Sequence, residues 1–219
     1  FIAPLQTLSN ESMVFHNNQY YRLFNFAEGS YTADVVQTAR QAYEAAQQFG
    51  RFTHLLQEFD AKQLKITIPH FHDLSYRYEQ FTTALERGNK QRMKQSVDLI
   101  AAINQQLSIL HQFEKIKQNK EFKIRVTHHD TKISNILFSE QDKGLCVIDL
   151  DTVMPGYFIS DVGDMMRTYL SPANEEEKDD WNKIEIRTDV YKAIADGYCS
   201  EMHTELTEDE LQSFVYAGK

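Results

Sequence analysis

Three side chains that offer oxygen atoms as ligands lie after a pair of adjacent histidines. Asp130 directly follows the histidines, Asn135 comes five residues later, and Asp149 ends the apolar run 146–148. Phosphoryl transfer requires a carboxylate facing the attacking hydroxyl and hard oxygen ligands for Mg²⁺. This spacing supplies both: Asp130 would orient or deprotonate a hydroxyl, while Asn135 and Asp149 would hold a magnesium ion that bridges the phosphates of a nucleotide.

Short strands are predicted on both sides of these residues. The pattern of apolar residues favours strands at 123–126, 136–138 and 145–150, with a polar turn at 140–144 joining the last two. The segment 127–135 would therefore be a loop held between strands, which fixes the position of its acidic residue.

Helices are predicted for most of the remaining chain, because apolar residues recur at every third or fourth position. The first would be one long helix that begins at Asp34, runs to Phe59 and tolerates Gly50. The others would cover 74–85, 90–117, 189–202 and a segment that begins at Thr207.

Local signals mark several helix ends and turns. Asp73 is placed to cap the second helix, and Thr207 with Glu210 has the spacing of a capping box. Near the N-terminus, apolar and aromatic residues flank the Asn-rich turn 16–19 and predict a β-hairpin. The acidic run 175–177 is typical of a solvated loop.

The composition excludes several kinds of partner. The chain has 219 residues, 42% of them hydrophobic and 25% charged, which is typical of a globular protein. A formal net charge of -9 disfavours binding to nucleic acids or anionic membranes, whose phosphates attract basic surfaces. No apolar run approaches the roughly 18 residues of a membrane span, and Cys146 and Cys199 do not make a disulfide framework. We therefore expect a cytoplasmic protein with a small-molecule partner.

The two acidic segments form a set of motifs together with one further segment. They read Thr127-His128-x-Asp130-Thr131-Lys132-x-x-Asn135, then Val147-Ile148-Asp149-Leu150-Asp151-Thr152-Val153-Met154-Pro155-Gly156, then Asp161-x-Gly163-Asp164-x-x-Arg167. This set resembles the catalytic and metal motifs of the aminoglycoside phosphotransferase and choline kinase-like family, and it is most similar to the N-acetylhexosamine 1-kinase branch. The resemblance extends to Ile68-Pro69-x-Phe71-His72-Asp73 and to the stretch from Tyr21-Arg22-Leu23 to Glu28-Gly29.

The resemblance implies an α+β fold, namely a protein-kinase-like C-terminal lobe that is mainly helical, with short β-hairpins around the catalytic loop. Residues 1–30 would be a remnant of the N-terminal lobe and hinge, and residues 31–219 the helical lobe. In the complete fold a Gly-rich phosphate loop and a strand lysine precede the hinge, whereas here the first glycine is Gly29 and the first lysine is Lys62. We therefore expect a truncated fragment, cut at both ends, that binds ATP weakly and has little activity.

The resemblance also implies roles for residues of the catalytic and metal motifs. Asp130 corresponds to the catalytic base, His128 to a brace for the loop backbone, and Lys132 to a lysine that contacts the transferred phosphate in protein kinases. The magnesium ligands would be Asn135 and Asp149, with Asp151 as an additional one.

Candidate contacts to the nucleotide base and to the acceptor lie further away. Glu28, with the neighbouring backbone, is the adenine-side candidate. The acceptor would be contacted by Asp161, Asp164 and Arg167. Four aromatic residues near the hinge could frame adenine, but we expect them to pack in a strand core: Tyr20, Tyr21, Phe24 and Phe26.

The leading prediction is an ATP- and Mg²⁺-dependent phosphotransferase that acts on a small-molecule hydroxyl, such as that of an N-acetylhexosamine sugar. Aminoglycosides, choline, homoserine and ketosamines stay open as acceptors. One alternative is a catalytically silent binding or scaffold domain. Another is a metal-dependent phosphohydrolase, in which His129-Asp130 would form the metal-binding pair.

Two further features have open interpretations. Two groups could be read as zinc ligands, namely His70, His72 and Asp73, or His128 with His129, although Asp73 is more simply a helix cap. The predicted N-terminal hairpin would leave free strand edges, through which a homodimer could form.

Overall fold

The computed structural model describes residues 2–173 and 181–219, so the acidic run 175–177 lies outside the described residues. Helices and small antiparallel sheets make up a mixed fold, which confirms the predicted α+β class. The described helices are α1 Ala39–Leu55, α2 Leu74–Arg87, α3 Lys90–Gln95, α4 Val97–Gln105, α5 Leu107–Gln118, α6 Phe158–Tyr169, α7 Thr188–Met202, α8 Glu208–Gln212 and α9 Phe214–Ala217. The described strands are β1 Val14–His16, β2 Gln19–Tyr21, β3 Ser30–Tyr31, β4 Arg125–Thr127, β5 Ile136–Ser139, β6 Gly144–Val147 and β7 Met154–Gly156.

Strand pairing brings the two acidic segments together. Strands β5 and β6 form the predicted hairpin, and β3 joins them as a third antiparallel strand. Strand β4 does not join this sheet but pairs with β7, with Val126 opposite Pro155. Because β4 leads into residues 128–135 and β7 follows residues 148–153, this pairing places the two segments side by side. We call them the Asp130 loop and the Asp149 turn.

The N-terminal hairpin forms where the sequence predicts it. Asn17 and Asn18 both adopt positive φ, at 48° and 58°, the conformation that Asn tolerates best among residues other than Gly. The second strand is shorter than expected and ends at Tyr21. The neighbouring aromatic side chains are exposed, Tyr20 by 72% and Phe26 by 85%, so the expectation that they pack in a strand core is wrong.

Helices α1 and α7 cross at two glycines. A Cβ on Gly50 would lie 2.8 Å from the carbonyl oxygen of Tyr198, and one on Gly197 would lie 2.4 Å from that of Tyr43. Both distances are too short for a real contact, so a residue without a side chain is needed at each position. Gly50, tolerated in the sequence pattern, therefore serves helix packing. The helix itself is shorter than predicted because Thr38 caps its first turn by accepting from the Gln41 backbone N–H.

The predicted helix at 90–117 is divided into α3, α4 and α5. At Ser96 and Gln106 the backbone N–H donates to the carbonyl three residues earlier instead of four, over 3.1 and 3.0 Å. Helix α2 begins as predicted, with the Asp73 carboxylate accepting from the Tyr76 N–H. The apolar residues keep the same spacing across both breaks, so the periodicity predicts one continuous helix.

Helix α6 was not among the predicted helices, although it carries the third motif. Its buried apolar side chains recur every three or four residues and insert into the core at Phe158, Val162, Met165, Met166 and Tyr169. The same buried face carries two carboxylates, Asp161 and Asp164. The helix thus places acidic groups inside the molecule, against the Asp130 loop.

The C-terminal helices are tied to β4 by a buried ion pair. The predicted capping box of Thr207 and Glu210 is confirmed. The Glu210 carboxylate, which has no exposed surface, also accepts from both terminal nitrogens of Arg125, at 2.6 and 2.9 Å. This pair fixes the strand that leads into the Asp130 loop.

Among residues 2–173 and 181–219, no helix combines the length and the apolar character needed to cross a bilayer.

Candidate active site

A buried carboxylate from α6 holds the backbone of the Asp130 loop. The two oxygens of Asp161 accept from the backbone N–H groups of His128 and His129, over 2.9 and 2.7 Å. The Asp161 backbone carbonyl also accepts from the Thr131 hydroxyl over 2.7 Å. Asp161 has no exposed surface. It is therefore placed to position the loop, not to contact an acceptor as the resemblance implied.

Asp164, one helical turn further along α6, holds the middle of the same loop. Its Oδ2 accepts from the Thr131 backbone N–H over 2.7 Å, and its Oδ1 accepts from Arg167 over 2.8 Å. The Asp164 side chain is only 5% exposed, whereas that of Arg167 is 56% exposed. Of the three predicted acceptor contacts, Arg167 is thus the one that reaches solvent.

His128 bonds within the loop and links it to the Asp149 turn. Its Nδ1 accepts from the Asp130 backbone N–H at 3.3 Å, so the proton lies on Nε2, which donates to the Ile148 carbonyl at 3.1 Å. The Thr152 hydroxyl donates to the His128 carbonyl over 2.7 Å. A single imidazole ring therefore separates the backbone of Asp130 from the residue that precedes Asp149.

The side chains of the Asp130 loop converge on its acidic residue. The Asn135 amide nitrogen donates to the Asp130 carbonyl over 2.8 Å and to the Asp130 carboxylate over 3.2 Å. The Lys132 ammonium lies 3.9 Å from the other carboxylate oxygen. The Asp130 side chain is 29% exposed, so it is open to a ligand on one side while two neighbouring groups hold it in place.

Asp149 stands at the start of its turn with a left-handed backbone conformation. Its φ of 57° and ψ of 70° lie in the left-handed region, which residues other than Gly, Asn and Asp rarely adopt. Such backbone conformations are often found at functional sites, where the surrounding structure enforces them. The Asp149 residue is exposed. Two residues on, Asp151 forms a 2.6 Å ion pair with Arg22, so this predicted metal ligand already has a cationic partner in the chain.

A cleft of about 680 Å³ opens beside the Asp149 turn. Its lining includes Asp149, Asp151 and Arg22, and the stretch 24–27 forms part of its wall. Glu28 lies on the exposed turn just beyond this stretch and is not among the lining residues. Glu28 therefore does not line this cleft, whereas the residues that directly precede it do.

The donor atoms in this region fit magnesium better than zinc. Mg²⁺ prefers oxygen ligands and keeps waters or phosphates in most of its positions, so a few protein ligands are enough. Asp149 offers a carboxylate, and Asn135 offers its amide oxygen because its nitrogen is used by Asp130. Within the described residues, no group of three or more His, Cys, Asp and Glu side chains is arranged to hold a metal ion, which counts against the zinc alternative.

The second histidine of the motif is buried against a histidine from the loop before α2. The rings of His129 and His72 stack with centroids 5.3 Å apart, and His72 Nε2 donates to the His129 carbonyl over 2.9 Å. His129 has a φ of 67° and lies in a loop, whereas the phosphohydrolase alternative requires its His-Asp pair on a helix. Burial lowers the pKa of His129 below its ordinary value of 6.5, against the opposing effect of nearby Asp161.

This lowered pKa predicts a loss of stability in acid. Below the ordinary pKa of 6.5 the unfolded chain takes up a proton at His129 that the folded chain refuses, so stability is present above that pH and falls as the pH drops. His129→Asn removes the titration and tolerates positive φ. We expect the decrease in Tm between about pH 7.5 and about pH 5.5 to be smaller in His129→Asn than in the wild type. The exposed His111→Asn is the control; an equal decrease in all three proteins would contradict the prediction.

The chain is similar to a known protein family and to solved structures. A model of the family described as "APH: Phosphotransferase enzyme family" matches residues 8–205. Among solved structures, an aminoglycoside phosphotransferase from Alicyclobacillus acidocaldarius superimposes with a TM-score of 0.56 at 15% identity, covering 99% of this chain and 73% of that one. A choline kinase from Cryptosporidium parvum gives a TM-score of 0.55 at 14% identity, covering 94% of this chain and 62% of that one. At such identities these two likenesses establish the fold alone, and the chain spans less than two thirds of the choline kinase.

The family model extends over most of the length of this chain. The chain therefore belongs to the phosphotransferase enzyme family.

Proposed function

We propose that this protein transfers the terminal phosphoryl group of ATP to a hydroxyl of a small molecule, with a sugar of the N-acetylhexosamine type as the acceptor. The observation that carries the proposal is the link through His128, whose ring joins the backbone of Asp130 to the carbonyl before Asp149. A candidate base and a candidate metal ligand thereby sit at neighbouring positions, which is the arrangement that phosphoryl transfer needs.

Each side chain has a distinct part in this proposal. Asp130 orients the acceptor hydroxyl and takes its proton, and Lys132 offsets negative charge beside it. Asn135 and Asp149 are the residues that would hold magnesium, which when bound neutralises charge on the phosphates. Asp161 contributes by fixing the loop, since a carboxylate that accepts two backbone N–H groups restricts the Asp130 backbone to one conformation.

Two features support the choice of partners. The cleft beside Asp149 has an apolar wall with charged groups at one turn, a combination suited to a nucleotide. A smaller cavity of about 260 Å³ is lined by Arg167, His72 and Asp164, the carboxylate that bonds the Asp130 loop, and could receive a compact polar acceptor. The sugar as acceptor rests on the resemblance of the motifs to the N-acetylhexosamine kinase branch.

An acceptor screen tests the proposal. ADP release would be followed with N-acetylhexosamines, aminoglycosides, choline, homoserine and ketosamines, using the protein as its gene encodes it. We expect the highest kcat/KM with an N-acetylhexosamine. A preference for an amino alcohol would overturn the sugar but keep the kinase, whereas nucleotide binding without turnover on any acceptor would favour a silent binding domain.

With the best acceptor, Asp130→Asn should lower kcat on the order of 10³-fold, because the amide cannot accept the hydroxyl proton. Its size and hydrogen bonds are close to those of Asp130, so the melting curve should change little. Asp98→Asn, an exposed substitution in the first turn of α4, is the control and should leave kcat unchanged. Turnover of Asp130→Asn near the control value would remove Asp130 from the role of base.

A further inference from the structure

We propose that Arg22 binds the phosphate groups of the nucleotide, and that Asp151 competes with those phosphates for its guanidinium group. This inference rests on the proposed nucleotide-dependent function and adds a residue to its binding site. It also assigns Asp151 a second role, as the partner that Arg22 exchanges for phosphate.

The position of Arg22 carries the first part of the proposal. Arg22 follows β2, and its Nη2 lies 2.6 Å from Asp151 Oδ1, across 129 positions of sequence. Both residues line the 680 Å³ cleft together with Asp149. The Arg22 guanidinium therefore lies beside the Asp149 turn. The phosphates of a nucleotide in this cleft would come close to the same turn if Asp149 holds the magnesium ion.

The charge inside the cleft carries the second part. Among the described residues that line it, Arg22 has the single basic side chain, and it faces the two acidic ones, Asp149 and Asp151. A polyphosphate entering the cleft would meet net negative charge unless a cation offsets it. Of the described lining side chains, only that of Arg22 carries a positive charge that can pair with phosphate oxygens.

The rest of the lining indicates which ligand would bring the phosphates. Apolar side chains form most of the wall: Ile2, Phe24, Phe26, Leu56, Leu137 and Val147. The Arg22 guanidinium also lies 5.8 Å from the centroid of the Phe24 ring, so the charged and apolar parts of the cleft adjoin. A flat apolar group joined to an anionic chain, as in a nucleoside polyphosphate, matches this combination.

The exposure of the ion pair explains why it can open. The side chains of Arg22 and Asp151 are 42% and 62% exposed, and ion pairs so well solvated contribute little to stability. A planar guanidinium can bond two oxygens of one phosphate at once, and a triphosphate carries more charge than one carboxylate. The exchange from Asp151 to phosphate therefore needs no change in the fold.

Calorimetric titration of adenosine and ATP, with magnesium removed by a chelator, tests Arg22 independently of turnover. We expect Arg22→Gln to weaken ATP binding about 10-fold or more while adenosine binds as in the wild type, since charged hydrogen bonds are lost only for ATP. Arg22→Lys should recover part of the loss, because it keeps the charge without the planar fork. Both side chains are exposed, and melting curves would verify that the variants fold.

Asp151→Asn tests the competition. Removing the carboxylate should tighten ATP binding several-fold in the same magnesium-free buffer, and a double-mutant cycle should show that this gain vanishes when Arg22 is already Gln. Asp98→Asn removes the same charge on α4 and should leave both affinities unchanged.

The outcomes separate this inference from the function on which it rests. An unchanged ratio of ATP to adenosine affinity in Arg22→Gln, or a gain in Asp151→Asn that persists without Arg22, would overturn the inference while nucleotide binding stands. If neither ligand bound the wild-type protein, the proposed use of ATP would fail, and the role of Arg22 with it.

Discussion

The buried carboxylate of Asp161 is the constraint on which the candidate site depends. A carboxylate without solvent contact must find donors within the protein, because leaving it unpaired would cost several kcal/mol. Its donors are two consecutive backbone N–H groups, those of His128 and His129. Directly after these two groups the chain bends at His129, whose φ is positive at 67°. The bend presents Asp130 on the open side of the loop.

The bent loop is joined to the second acidic segment by contacts of a different kind. Pairing of β4 with β7 aligns the two segments, and the His128 ring spans the remaining gap by bonding at both of its nitrogens. The ring is held edge-on by Phe49 and Phe52, so the core of α1 supports the link. The backbone positions of Asp130 and Asp149 therefore depend on the Asp161 carboxylate of α6 and on two aromatic rings of α1. Neither side chain needs to contact the other directly.

Local signals in the sequence were enough for the elements that depend on neighbouring residues. The hairpin turn at Asn17-Asn18, the cap at Asp73 and the capping box at Thr207 were predicted because each uses atoms a few positions apart. Long-range contacts were not accessible in this way. A motif gives the order of residues but not the direction in which a helix points their side chains, so it does not distinguish a buried Asp161 that holds the loop from one that contacts an acceptor. The Arg22–Asp151 ion pair joins segments that no periodicity connects. The apolar residues of 158–169 recur every three or four positions, so α6 is accessible from the sequence pattern.

Site-resolved amide hydrogen exchange tests the central claim most directly. If Asp161 holds the loop, the amides of His128 and His129 should exchange as slowly as those in the middle of α6, since both require opening of the core. The amides of Asn18 and Gly29, in exposed turns, give the rate expected without such protection. Exchange of the two histidine amides at the rate of these turns would contradict the account, because the loop would then be free of the carboxylate that is said to position Asp130.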